Sequence, residues 1–160
     1  MNCIMCGSDG MHQQRRNVPY RSLRGTVLVG VKVWECAECG EQEVVIPAIN
    51  ELDRVLARAV ANKPGRLTSD EVRFLRKHLG WSGADFAGHF GVQPETVSRW
   101  ENGTEMGPQA ERLLRVCVTR LEPIDDYLSL ERLLNRQTEQ ETLTKPIRVQ
   151  HRDNQWELAA

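Results

Sequence analysis

The chain has 160 residues, 40% of them hydrophobic, and a formal net charge of −1. That length allows one medium domain or two small ones, and no apolar run nears the roughly 20 residues a transmembrane helix needs. Near-neutrality neither requires nor excludes a nucleic-acid partner, because charge distribution decides that and the whole-chain sum averages it away.

The N-terminal stretch MNCIMCGSDG lacks the basic and long apolar regions of a signal peptide, so a cytoplasmic location is expected. In a reducing compartment the five cysteines are expected to be metal ligands or core thiols rather than disulfides. Four of them form two knuckles, CIMCG at Cys3–Cys6 and CAECG at Cys36–Cys39. A two-residue spacer lets one tight turn aim both sulfurs at one ion. The glycine that follows can take positive φ and turn backbone amides toward the thiolates. Two such knuckles supply the four soft donors of a structural zinc site, and they fill every position a catalytic zinc would need open. Iron in a rubredoxin-like site uses the same knuckles. A redox C-x-x-C normally stands alone, and His12 is at most a substitute ligand.

Residues 1–47 have strand character. VPYRSLRG reads as a turn-rich connection. TVLVGVKVWEC alternates with period two, which predicts Val27, Val29, Val31 and Val33 on one side. EQEVVIP is a second short strand stopped by Pro47. Residues 48–65 then carry a helical apolar stripe, Ile49, Leu52, Val55, Leu56, Ala59 and Val60, ending at the breaker Asn62-Lys63-Pro64-Gly65. They are expected to form a helical linker.

From residue 66 to 122 the chain reads as short helices. Thr68 with Glu71 predicts a capping box for a helix reaching Leu79, and Gly80 ends it. Ser82 caps the next helix, which stops at Gly91. Pro94 suits the first turn of a third helix, because its missing N–H has no intrahelical partner there. Gly103 lies at that helix's stop, and Pro108 starts a fourth helix bearing Cys117 on its apolar face. Ala87, Gly91 and Val97 stand at helix-turn-helix spacing, as small residue, turn glycine and plug. In that motif the second helix enters the major groove. Arg99 then reaches a guanine edge, Thr96 a thymine methyl and Glu95 a cytosine amine. Glu95 has two plainer readings, as a partner for the helix dipole or for Arg99 one turn away. Gln93 is expected on phosphate or base, and the amides at Ser82, Gly83, Asn102, Gly103 and Thr104 on phosphate.

Between Arg66 and Leu121 eight Lys/Arg face seven Asp/Glu. One copy should bind DNA weakly, so a homodimer on two half-sites is expected. Leu113, Val116, Tyr127, Leu130 and Leu134 offer apolar surface for it. Residues 123–160 read as an extension with an amphipathic helix, a polar linker and a small hairpin about Arg-Asp-Asn. No nucleophile–base pair, acidic dyad or phosphate-binding loop appears, so an enzyme is not expected.

The order of these marks resembles the MqsA-type antitoxins, with a YgiT-type zinc finger before an Xre-like helix-turn-helix. The resemblance rests on CIMCG, VPYRSLRG with TVLVGV, WECAECG, LTSDEVRFLRKHLGWSGADFAGHFGV, VSRWENG and ERLLRV, over roughly residues 1–121. It implies an α+β chain: a small N-terminal zinc-binding β-rich module, a C-terminal all-α helix-turn-helix domain and a helical or extended tail. It further implies one zinc on Cys3, Cys6, Cys36 and Cys39, a cognate ribonuclease toxin held by the zinc half, and a homodimer repressing its own palindromic operator through Arg99. Family members carry Asn where Glu95 stands, so a different operator is expected. Pro94 is unusual in the family, and the tail after Pro123 has no counterpart there. The alternative is a stand-alone zinc-finger regulator with no toxin.

Overall fold

The computed structural model describes residues 2–120, 146–153 and 155–159. Tyr127, Leu130, Leu134 and the predicted fifth helix lie outside the described residues. The chain is α+β and divides into two units. The first comprises residues 1–21, 25–52 and 146–160, and the second residues 22–24 and 53–145.

The first unit is a five-stranded sheet. Strand β1 (Met11–Pro19) pairs antiparallel with β2 (Thr26–Cys36). β3 (Gln42–Val45) pairs antiparallel with β2 from Lys32 to Glu35. β4 (Ile147–Arg152) pairs parallel with β2 from Thr26 to Val29, and β5 (Gln155–Leu158) returns antiparallel to β4. The segment read as a tail is therefore part of the sheet. Trp156 is buried and its indole N–H donates to the Pro47 carbonyl at 2.8 Å.

The valine alternation does not run through β2. Thr26 and Leu28 are buried, then Val31 and Val33, so the buried side changes parity midway; Cys36, buried at the strand's end, belongs to the second knuckle. Gly30, at φ +64°, sits where the pairing slips between Arg16 and Val18. One extra residue on one strand with a left-handed glycine is a bulge, and it swaps the faces of all later side chains. Val27 and Val29 are thus only half-buried while Leu28 enters the core. The polar β1, HQQRR, has no apolar alternation to betray a strand; β2 supplies its pairing.

In the second unit the local signals act as read. Thr68 caps α2 (Ser69–His78) in a capping box with Glu71. Ser82 and Asp85 form a second capping box on α3 (Gly83–Phe90). Gly91, at φ +63°, stops α3 in the left-handed region that a side chain would strain. α4 (Pro94–Trp100) starts on its proline, and α5 (Pro108–Thr119) on another. α1 (Ile49–Asn62) carries the boundary between the units within it. Its Leu56, Ala57, Val60 and Ala61 are fully buried.

Around them lies a buried ionic knot that the sequence did not announce. Arg115 is 1% exposed and donates to the carbonyls of Ala61, Lys63 and Gly65 and to Glu111. Glu111 also accepts the Leu67 amide at 3.1 Å and pairs with Arg66. The breaker Asn62-Lys63-Pro64-Gly65 thus turns its carbonyls onto a guanidinium, which satisfies groups that burial would otherwise leave unpaired.

Candidate metal centre and recognition helix

The two knuckles fold alike. Cys3 N–H donates to the Ser8 carbonyl and Gly7 N–H to the Cys3 carbonyl; Cys36 N–H donates to Glu41 and Gly40 N–H to Cys36. Gly7 and Gly40 take φ of +73° and +72°, the conformation expected of the glycine after each pair. In each knuckle the first cysteine is buried and the second exposed.

The four sulfurs lie within 4.8 Å of one another, with Cys3–Cys39 and Cys6–Cys36 both at 3.6 Å. A tetrahedron with metal–sulfur arms of about 2.3 Å has edges of about 3.8 Å, so the set fits one ion of that size. Its electrostatics point the same way. The Cys39 amide, with that of Glu38 and the neighbouring sulfurs, lowers the Cys36 thiol to about 6. The Glu41 amide also favours the Cys39 thiolate, but burial and the sulfurs of Cys6, Cys3 and Cys36 together push Cys39 up to about 12. Without a cation the Cys36 thiolate is favoured and the Cys39 thiolate opposed. A divalent ion removes that conflict. His12 is exposed on β1 and takes no part in the cluster. Cys117 is also apart, a half-buried thiol raised by burial.

The α3–α4 pair is built on Ala87, Gly91 and Val97. Ala87 and Val97 are buried, and Val92 N–H donates back to the Ala87 carbonyl as the chain turns at Gly91. Phe86 packs edge-on against Phe90 and tilted against Trp100. With Val97 and Trp100 inward, α4 presents Glu95 and Arg99 fully exposed and Thr96 half-exposed. No ion pair links Glu95 to Arg99 among the described residues, so the guanidinium is not spent on its neighbour. Gln93 makes no cap hydrogen bond with its side chain.

The expected phosphate donors differ among themselves. Ser82 N–H already donates to Asp85 and its hydroxyl accepts from the Asp85 amide. Hydrogen bonds from the Ser82 hydroxyl, foremost, and amide hold the Asp85 carboxyl below its usual range. Gly83 stands at the first helical position beside this cap. Asn102, Gly103 and Thr104 follow α4 rather than opening α5, and their amides already donate to Arg99, Ser69 and Arg99 again. Gly103 has no side chain and the Asn102 side-chain amide already donates to Ser98 and accepts from Arg73, which leaves the Thr104 hydroxyl for a ligand.

Sequence reasoning missed the clamp behind α4. Arg76 holds Glu101 through both carboxylate oxygens at 2.5 and 3.2 Å, and Arg73 reaches the Glu101 carboxylate, the Glu101 carbonyl and Asn102. Glu101 is the C-cap of α4, so the clamp fixes that end while the other stays free. Two arginines three apart on α2 were the available cue.

A family model described as the antitoxin component of a bacterial toxin–antitoxin system, MqsA, matches residues 1–126. The chain belongs to the MqsA antitoxin family. No curated protein matches it. Membership places it among regulatory components rather than enzymes, and the matched span contains both knuckles and the five helices of the described residues. The β4–β5 hairpin lies beyond the MqsA match. No helix among the described residues is long and apolar enough to cross a membrane.

Proposed function

We propose that this chain is the antitoxin of a type II system, neutralising a cognate ribonuclease toxin in the cytoplasm and repressing its own operon. On this reading residues 1–47, completed by the β4–β5 hairpin, carry one structural zinc on Cys3, Cys6, Cys36 and Cys39, and residues 48–65 lead into a helix-turn-helix over 66–122. Four thiolates suit zinc, the ion that the MqsA resemblance implies. The ion organises strands and leaves no position open for chemistry.

The observation that carries the DNA reading is α4, with Val97 and Trp100 buried and an uncommitted Arg99 on the outer face. α4 enters the major groove with Glu95, Thr96 and Arg99 at base edges. Gln93, the Gly83 amide and the hydroxyls of Ser82 and Thr104 attend the backbone, with Asn102 and Gly103 forming the turn that places Thr104. The helical unit is not strongly basic, so a homodimer spanning a palindrome supplies the affinity. Leu113, 44% exposed on α5, is available to it.

Arg99→Ala should cost about 1–3 kcal/mol of operator binding and relax one base position. Titration of the operator and of single-base variants, by fluorescence anisotropy at fixed salt, reads both. Wild-type affinity in the variant would refute the assignment.

A further inference from the structure

Among the described residues, large apolar side chains are exposed mainly in the first unit: Ile4, Met5, Val44, Val45, Ile49 and Leu158, against Leu113 in the second. Two of them, Val44 and Val45, share β3, whose four residues are all exposed. β3 pairs only with β2 among the described residues, so its outer row of amides and carbonyls is open. Open edges are normally guarded by lysine, arginine, proline or a bulge. β1 has such guards, with Arg15, Arg16, Pro19 and the slip near Asn17. On β5, Glu157 is engaged by Arg152 and Gln150. β3 has none.

Its charge is one-sided. From Val33 to Glu51 the chain holds five glutamates and no lysine or arginine. Glu38, Glu41 and Glu43 enter no ion pair among the described residues, whereas Glu35 is held by Arg16. β3 leaves the second knuckle directly, and four thiolates around a divalent ion add further net negative charge there.

We infer that the β3 edge is where the toxin docks, by adding a basic extended segment as a further strand. This rests on the antitoxin reading. The edge supplies main-chain hydrogen bonds, Val44 and Val45 supply apolar contact on opposite faces, and Glu38, Glu41 and Glu43 supply the sign. A ribonuclease must neutralise RNA phosphates, so its working surface is basic and complements this edge. Nucleic acid is repelled here, and a second copy pairing β3 to β3 would set glutamate against glutamate.

The test uses the full-length zinc-loaded chain and the catalytically inactivated product of the neighbouring toxin gene, with affinity measured by calorimetry at two salt concentrations. Val44→Lys should weaken the complex at least about tenfold, and Gln13→Lys on β1 should leave it unchanged. The double variant Glu41→Gln/Glu43→Gln, which alters no packing, should weaken binding and flatten its salt dependence. Unchanged affinity and salt slope in both β3 variants would overturn the proposal and leave the antitoxin reading standing. The same follows if they alter only self-association. Failure of the wild-type chain to bind the toxin would overturn both.

Discussion

In the sheet unit the buried side chains come from segments far apart in the chain. Leu28 of β2 pairs with Val149 of β4, and both are fully buried. Trp156 closes over Pro47 from the far end of the sequence. In the helical unit each helix carries its own start or stop: two capping boxes, two first-turn prolines and a left-handed Gly91. Its distant parts meet through the buried Arg115 guanidinium and through the Arg73 and Arg76 clamp on Glu101. One unit therefore rests on a four-cysteine cluster positioned to hold a cation and on long-range strand pairing, and the other on local signals plus an ionic knot. A cation can be removed without touching the chain, which makes the two units separable by experiment.

The largest effect should follow metal removal. Structural zinc contributes on the order of 10 kcal/mol to small sites, more than this sheet can spare. Chelation, or Cys36→Ser, should abolish hydrogen-exchange protection of the β2 amides and leave that of α2 and α3. Protected β2 amides in metal-free protein would break the contrast. Next comes Arg115→Ala, which removes one cationic partner of Glu111 and strands three carbonyls in the interior. It should cost about 3–5 kcal/mol in denaturant unfolding of the helical unit, with zinc content unchanged. Ser82→Ala removes one cap and should cost about 1 kcal/mol in the same assay. A larger loss would mean that α3 depends on its cap for more than its own first turn.

The smallest effect is a pH dependence. Burial, opposed by Asp53, lowers the His78 imidazole below its ordinary value of 6.5. The unfolded chain therefore takes up a proton that the folded unit resists. Stability should fall as pH drops from about 6.5 toward the lowered value, then level off for this group. Urea midpoints across that range, with His78→Phe as the flattened reference, measure it through the helical unit.

Much of the helical unit was legible because its signals are short-range. A cap at Thr68, a glycine at position 91 and a proline at position 94 act within a turn of themselves. The knuckles were legible because coordination fixes ligand type and spacing together. The phase of β2 was not, since Gly30 acts as a bulge only once Asn17 lies opposite it and bonds its amide. Nor were the amide partners of Asn102, Gly103 and Thr104, which lie on residues placed by the fold.

The sequence by itself determined each cysteine knuckle, the capped helices and the exposed polar face of α4, since each rests on residues within about two turns of one another. Tertiary structure alone decided that β4 and β5 complete the first unit's sheet, that Arg115 reads the carbonyls after α1, and that β3 is left with an open acidic edge. Those outcomes depend on which distant strands and helices meet. Periodicity along the chain carries no record of pairing across it.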